Sequence, residues 1–193
     1  FQTNQRLRDV TRAGANMVQT ARSQAIATGN NHILYLAAGV GTDACGNALV
    51  DGQGNAVPML ILDDGAPGPG TNCCIDGGER VLTEPVFTRP GVMDNVNWGA
   101  TFAPAQMPMD SGGGDYTTGS TFTDGNGNQT RWVMFRPDGV PVGFTPACVA
   151  GQIGSGAGGI YVTNADRDYS VVITPLGAGH VSGFERGAGA WMN

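Results

Sequence analysis

The residues of this chain that could do chemistry are four cysteines, two histidines and a few acidic, glycine-rich loops. Cys45, Cys73, Cys74 and Cys148 contain no C-x-x-C pair, and only His32 and His180 could join them at a metal. A tetrahedral zinc site needs ligands that converge from suitable spacings, and these spacings offer no such pattern. Two disulfides are preferred over the alternative of four reduced, buried thiols, and they imply an oxidising compartment. Adjacent cysteines rarely bond to each other because the backbone between them is strained. Cys73 and Cys74 are therefore expected to pair separately with Cys45 and Cys148, in an order the sequence leaves open.

Asp124-Gly125-Asn126-Gly127-Asn128 places oxygen-bearing side chains at alternate positions, as a calcium loop does, and Asp51-Gly52-Gln53-Gly54-Asn55 echoes it. Phe135 stands where an EF-hand would need its twelfth-position acid. The same residues are the preferred ones of tight hairpin turns, and the turn reading is favoured. No G-x-S-x-G elbow occurs, and neither histidine lies in a recognisable catalytic segment. Asp63-Asp64 could be a metal-binding pair, and is read in preference as the turn ending a strand. Among Trp98, Trp132 and Trp191, a sugar platform was weighed; core packing is preferred for Trp132, which sits in a strand pattern. No catalytic residue, metal or cofactor is assigned.

Composition points the same way. Hydrophobic residues make up 40% of the 193 residues, enough for a sizeable core, and 32 glycines favour turn-rich β structure. Charged residues make up only 13%, and every cation is arginine. The net charge is −6. Residues 1–29 carry Arg6, Arg8, Arg12 and Arg22 against Asp9, a local +3 that leaves −9 on the rest. A basic helix on an acidic body is expected, which is no electrostatic match for nucleic acid.

Two regions must position these residues. Residues 1–29 read as one long helix: Leu7, Val10, Met17, Val18, Ala21, Ala25 and Ile26 recur at helical spacing, and Gly29-Asn30-Asn31 is a stop signal. Such a helix is about 43 Å long at 1.5 Å per residue. Its first half is expected to project or to meet another protein. Residues 30–193 read as a β-rich body, with strands at 32–38, 57–62, 80–88, 97–103, 130–135, 140–144, 159–163, 169–174 and 180–184. Thr121-Phe122-Thr123 is expected to pair across the turn at 124–128. The fold class is α+β, a long N-terminal helix packed on antiparallel sheet.

Within this frame, four segments carry a family resemblance. Ala21-Arg22-Ser23-Gln24-Ala25-Ile26-Ala27-Thr28-Gly29-Asn30 resembles the "A-R-S-E-A-I-x-R-G/N" segment that ends the first helix of GspH/FimT-type pseudopilins and minor pilins. Val133 to Gly139 is similar to the family's "I-x-F-x-P-x-G" strand and turn. Gly159 to Thr163 resembles its "G-x-I-x-L" strand, and Val171 to Gly177 its closing "V-x-I-S-x-x-G-R-V". The matches keep their order across nearly the whole chain. Gln24 stands for the usual Glu, the inserts at 39–56, 65–78 and 104–120 are long, and Gly179-His180-Val181-Ser182 lacks the basic residues often found there.

The resemblance implies a pilin-like subunit whose short leader and apolar anchor of about 20 residues would precede Phe1. It implies an exported protein, held in the inner membrane with a periplasmic domain, then built into a type IV pilus or a type II secretion pseudopilus. Its partners would be other minor pilins or pseudopilins and the major pilin, met through Phe1, Arg6, Leu7, Arg8, Val10 and Arg12. An alternative is a tip-located binding module, an adhesin or a DNA receptor; the missing basic stretch argues against DNA.

Overall fold

A helix at the start of the chain lies across two antiparallel sheets. The computed structural model describes residues 2–65 and 71–192, with side chains described from Asn4 onward. Helix α1 spans Gln2–Thr28. No proline interrupts it, and it stops where Gly29 turns left-handed (φ 74°) with its N–H donating to Ala25 O at 3.0 Å. Leu7, Val10, Ala13, Met17, Val18, Ala21 and Ala25 form one buried stripe.

The first sheet has the order β3-β2-β1-β5-β6, from Arg80–Leu82, Met59–Asp64, Asn31–Leu36, Trp132–Phe135 and Pro141–Val142. The second has the order β10-β9-β8-β7-β4, from Ala190–Met192, Gly179–Glu185, Asp168–Ile173, Gly158–Thr163 and Asn97–Trp98. All pairings are antiparallel. The helix stripe shares one core with Leu34, Leu36, Ile61, Val133 and Phe135 of the first sheet and with Ile160, Val162, Val171 and Ile173 of the second. A Cβ added at Gly14 would stand 3.5 Å from Met59 Cε of one sheet and 3.9 Å from Val171 Cγ2 of the other, which places the helix over the seam between them.

The first sheet is buried on both faces. Strand side chains alternate, so Leu34 and Leu36 meet the helix while Ile33 and Tyr35 point away from it. On that far side Leu49, Val57, Cys73 and Phe144, from the long loops, complete a second core. This explains why β1 and β2 read as unbroken apolar runs and not as alternating ones.

Several sequence expectations change. The first half of the helix does not project: Leu7 is 0% and Val10 2% exposed, because the second sheet extends far enough to cover them. Residues 97–103 form a strand only at Asn97–Trp98, since the amides of 101–103 bend away to a buried carboxylate described below. Asp63 and Asp64 lie inside β2, buried, and not in the turn after it. The segment 121–123 pairs across the turn at 124–128 through the isolated bridge Thr123↔Gln129 and the bond from Thr130 N–H to Phe122 O at 2.8 Å, without forming a full strand. Strand β10 was not foreseen.

Truncating the stripe tests the seat of the helix. Leu7→Ala is expected to lower stability by about 2–5 kcal/mol in chemical denaturation, as for a buried leucine; a loss under about 0.5 kcal/mol would mean a projecting segment. Gly14→Ala, with room for its methyl, is expected to add about 0.5–1 kcal/mol.

Candidate functional site

The helix residues singled out by sequence divide cleanly. Phe1 lies outside the described residues. Leu7 and Val10 are held in the protein's own core and present nothing to a partner. Arg6, Arg8 and Arg12 are exposed. Arg8 Nε donates to Tyr169 Oη at 3.2 Å, and Arg6 stands 3.9 Å from the exposed Asp94, a contact of little energetic weight. With Gln5, Asn16, Gln19 and Ser23 they make the outer face of the helix polar as far as Ile26, which is 54% exposed.

The acidic body is not an acidic surface. Asp43, Asp51, Asp63, Asp64, Asp110, Asp124 and Asp168 are buried, seven of the 16 acidic side chains, while no arginine is. A partner therefore meets ten arginines and nine carboxylates, a nearly balanced mixture. Six of these acids accept backbone N–H groups that the turns and loops leave over, and Asp63 accepts from the Asn30 side-chain amide.

Asp43, Asp51 and Asp124 do this in one repeated design, Asp-x-x-Gly-Asn. In each, the Asp N–H donates to the Asn carbonyl at 2.8–2.9 Å and the Gly N–H returns to the Asp carbonyl. Each carboxylate takes the N–H groups two and four residues on, at 2.8–2.9 Å, and the Asn side-chain amide as well. Gly46, Gly54 and Gly127 are left-handed at φ 91°, 85° and 86°, as this closure requires. Hydrogen bonds from Asn55, mainly its backbone, hold Asp51 below the usual carboxylate range, and those from Asn128, mainly its side chain, do so for Asp124. The calcium-like loops are thus turns whose oxygens already hold donors. The spacing of Asp, Gly and Asn was the signal for them.

Two further carboxylates pin the second sheet. Asp168 accepts from the amides of Thr101, Phe102 and Ala103 at 2.7–3.0 Å and from Thr163 Oγ1 at 2.6 Å. Asp110 accepts from Thr121 Oγ1, from Tyr161 Oη at 2.6 Å and from Gly112 N at 2.8 Å. Burial, then the Asp110 bond, push the Tyr161 phenol above its ordinary range.

The cysteines form Cys45–Cys74 and Cys73–Cys148, with Cα separations of 5.7 and 5.5 Å. They tie three loops over the far face of the first sheet, where Tyr35 Oη donates to Cys73 O. Cys148 occupies the left-handed place (φ 60°) in the turn Thr145–Val149, which glycine fills in the Asp turns. Among the described residues one group has metal-like spacing, Asp64 with Cys73 and Cys148, and its sulfurs are the bridge itself. Asp64 Oδ1 accepts from Asn72 N and Cys73 N, both at 3.2 Å, while Oδ2 has no hydrogen-bond partner among the described residues. Burial raises the Asp64 and Glu79 carboxyls above their usual range.

The remaining candidates are structural. His32 is buried on β1 opposite Asp63, with Nε2 3.7 Å from its Oδ2, and His180 is exposed on β9. Trp132 and Trp191 donate to Phe144 O and Ala105 O and pack on neighbouring rings. Trp98 borders an open groove of about 620 Å³ with Phe87, Pro90, Val92 and Met93. No helix among the described residues is long and apolar enough to cross a membrane.

Comparison with protein-family models, with curated proteins and with solved structures finds no match.

Two measurements follow. The carboxyls of Asp51 and Asp124 are depressed, so their stabilisation is complete above the unfolded value near 3.9 and disappears as pH falls through the folded one. Asp64 has the opposite sign: its contribution is greatest in acid and is lost as pH rises through the raised folded value. Asp64→Asn cancels that loss, so its melting temperature relative to the parent should rise as pH climbs from below the unfolded carboxylate value near 3.9 through the raised folded one. A constant difference would contradict the burial of an ionisable Asp64. Separately, Cys45→Ser/Cys74→Ser should cost about 3–4 kcal/mol in denaturant titration, given a sequence separation of 29 residues.

Proposed function

We propose that this chain is the exported part of a minor pilin or pseudopilin of the GspH/FimT type. It is a structural subunit of a type IV pilus or a type II secretion pseudopilus and not an enzyme. The observation that carries the reading is the opening helix, seated by its apolar stripe over the seam of a disulfide-fastened antiparallel body. The four segments that resemble the family fall on matching elements: the helix end, β5 and its turn, β7, and β8 with its turn.

In this reading a leader and an apolar anchor precede Phe1 and continue the helix into the inner membrane. The subunit is then drawn into a tip or priming complex with other minor subunits and the major pilin. Because Leu7 and Val10 serve the domain's own core, its contacts within the complex use the polar outer face, with Arg6, Arg8 and Arg12 as cationic groups for partner carboxylates. DNA is not proposed as a ligand: β9 carries Gly179-His180-Val181-Ser182 where the resembling family is often basic.

The test is in the native host. Single cysteines replacing Arg8 and Arg12 in the full-length protein are expected to cross-link to pilin-type subunits, and deletion of the gene to impair filament assembly or secretion. A full-length gene without a prepilin leader and an apolar anchor would end the proposal.

A further inference from the structure

The Cys73–Cys148 bridge has a buried acceptor beside it that none of the described residues donates to. Asp64 is 0% exposed on β2, and a carboxylate oxygen and the two sulfurs all lie within 4.8 Å of one another. Its Oδ1 is fixed by the N–H groups of Asn72 and Cys73, so the carboxyl is held by the same loop that carries the sulfur. Its Oδ2 is buried without a hydrogen-bond partner. A buried acceptor left alone keeps its full desolvation penalty, larger when charged, so its retention asks for a reason. A donor that would satisfy it is the S–H group that exists only while the bridge is open.

We infer that Asp64 is the proton-transfer partner of the Cys73 sulfur, and that it gates the opening and closing of the Cys73–Cys148 disulfide. Cys148 is half-buried whereas Cys73 is fully buried, so Cys148 Sγ is the atom an external thiolate can reach. In opening, a dithiol reductant attacks Cys148 Sγ and the S–S bond breaks. The Cys73 sulfur leaves with the electron pair and takes the proton from the Asp64 carboxylic acid. The second thiol of the reductant then displaces Cys148 as a thiol, and the reductant departs as its disulfide. In closing, the ionised Asp64 takes the Cys73 proton as that sulfur attacks a mixed disulfide at Cys148 and expels the external thiolate. Two electrons pass between the bridge and the external dithiol in either direction. Burial suits Asp64 to this work, since a carboxyl raised toward neutrality can both give and accept a proton. The charged and titratable groups around it are Asp63 and Asp76, with Glu79 and Tyr35 on the neighbouring strand and loop.

The experiment starts from the folded, oxidised chain, so that Asp64 is in place when the bridge opens. Dithiothreitol is added at a series of pH values from below the ordinary carboxylate value near 3.9 up to about 9.5, the reaction is quenched by alkylation, and labelling of Cys148 is followed by mass spectrometry. Rates are divided by the dithiothreitol thiolate concentration. The parent should open Cys148 at least about tenfold faster than Asp64→Asn below the Asp64 titration, a modest share of what a placed acid supplies. The two should converge at high pH, and Asp64→Glu should recover part of the difference. Identical rates and pH profiles in parent and Asp64→Asn would overturn the inference. Should Asp64→Asn fail to fold, the parent decides alone: its normalised rate must fall as pH rises through a single titration, and a flat profile refutes the role.

Discussion

One packing constraint organises the molecule: a single helical stripe must fill the seam between two sheets that do not hydrogen-bond to each other. Leu7, Val10, Met17, Val18, Ala21 and Ala25 touch side chains from both sheets in one continuous core. Small residues at 13, 14, 21 and 25 let the helix approach closely, and Gly14 sits between Met59 of one sheet and Val171 of the other. Without the helix, each sheet would present an open apolar face. The helix is therefore part of the body's core and not an appendage, and what it offers outward is its polar side.

The second organising element is electrostatic and local. A chain with 32 glycines and long connections leaves many backbone N–H groups without strand partners. Seven carboxylates are turned inward, and six of them, in the Asp turns and at Asp64, Asp110 and Asp168, collect these donors. Backbone amides do for them what cations do for carboxylates at a surface. The result is a protein of net charge −6 whose unburied cations slightly outnumber its unburied anions. Net charge alone is a poor guide to the contacts such a surface can make.

Much of this was legible in the residues. The helix and its stop at Gly29 follow from apolar spacing and a left-handed terminator, and β1, β2, β7 and β8 from their β-branched and aromatic runs. The rest depended on contacts between distant segments. Nothing local in Thr101-Phe102-Ala103 says that its amides turn to Asp168, 65 to 67 residues away. The order of the disulfides depended on which loops cross the far face of the first sheet. At 51–55 and 124–128 the residue types favoured a turn over a metal loop, but the direction of the donors shows only in the fold. Ala190-Trp191-Met192 lies in a glycine-rich stretch whose strand forms only because Phe184 and Tyr161 offer Trp191 a place to pack.

An assembly subunit with this construction would carry a stiff, fully seated helix into its complex, so that partners read a fixed polar face and not an apolar stripe exposed for them. Backbone hydrogen exchange tests that seat most directly. Amides of residues 7–25 are expected to exchange with the same protection as those of β1 and β8, opening only with the whole fold. Rapid exchange through Ala13, with protection confined to the second half of the helix, would show a stalk that stands free of its body and would contradict the account.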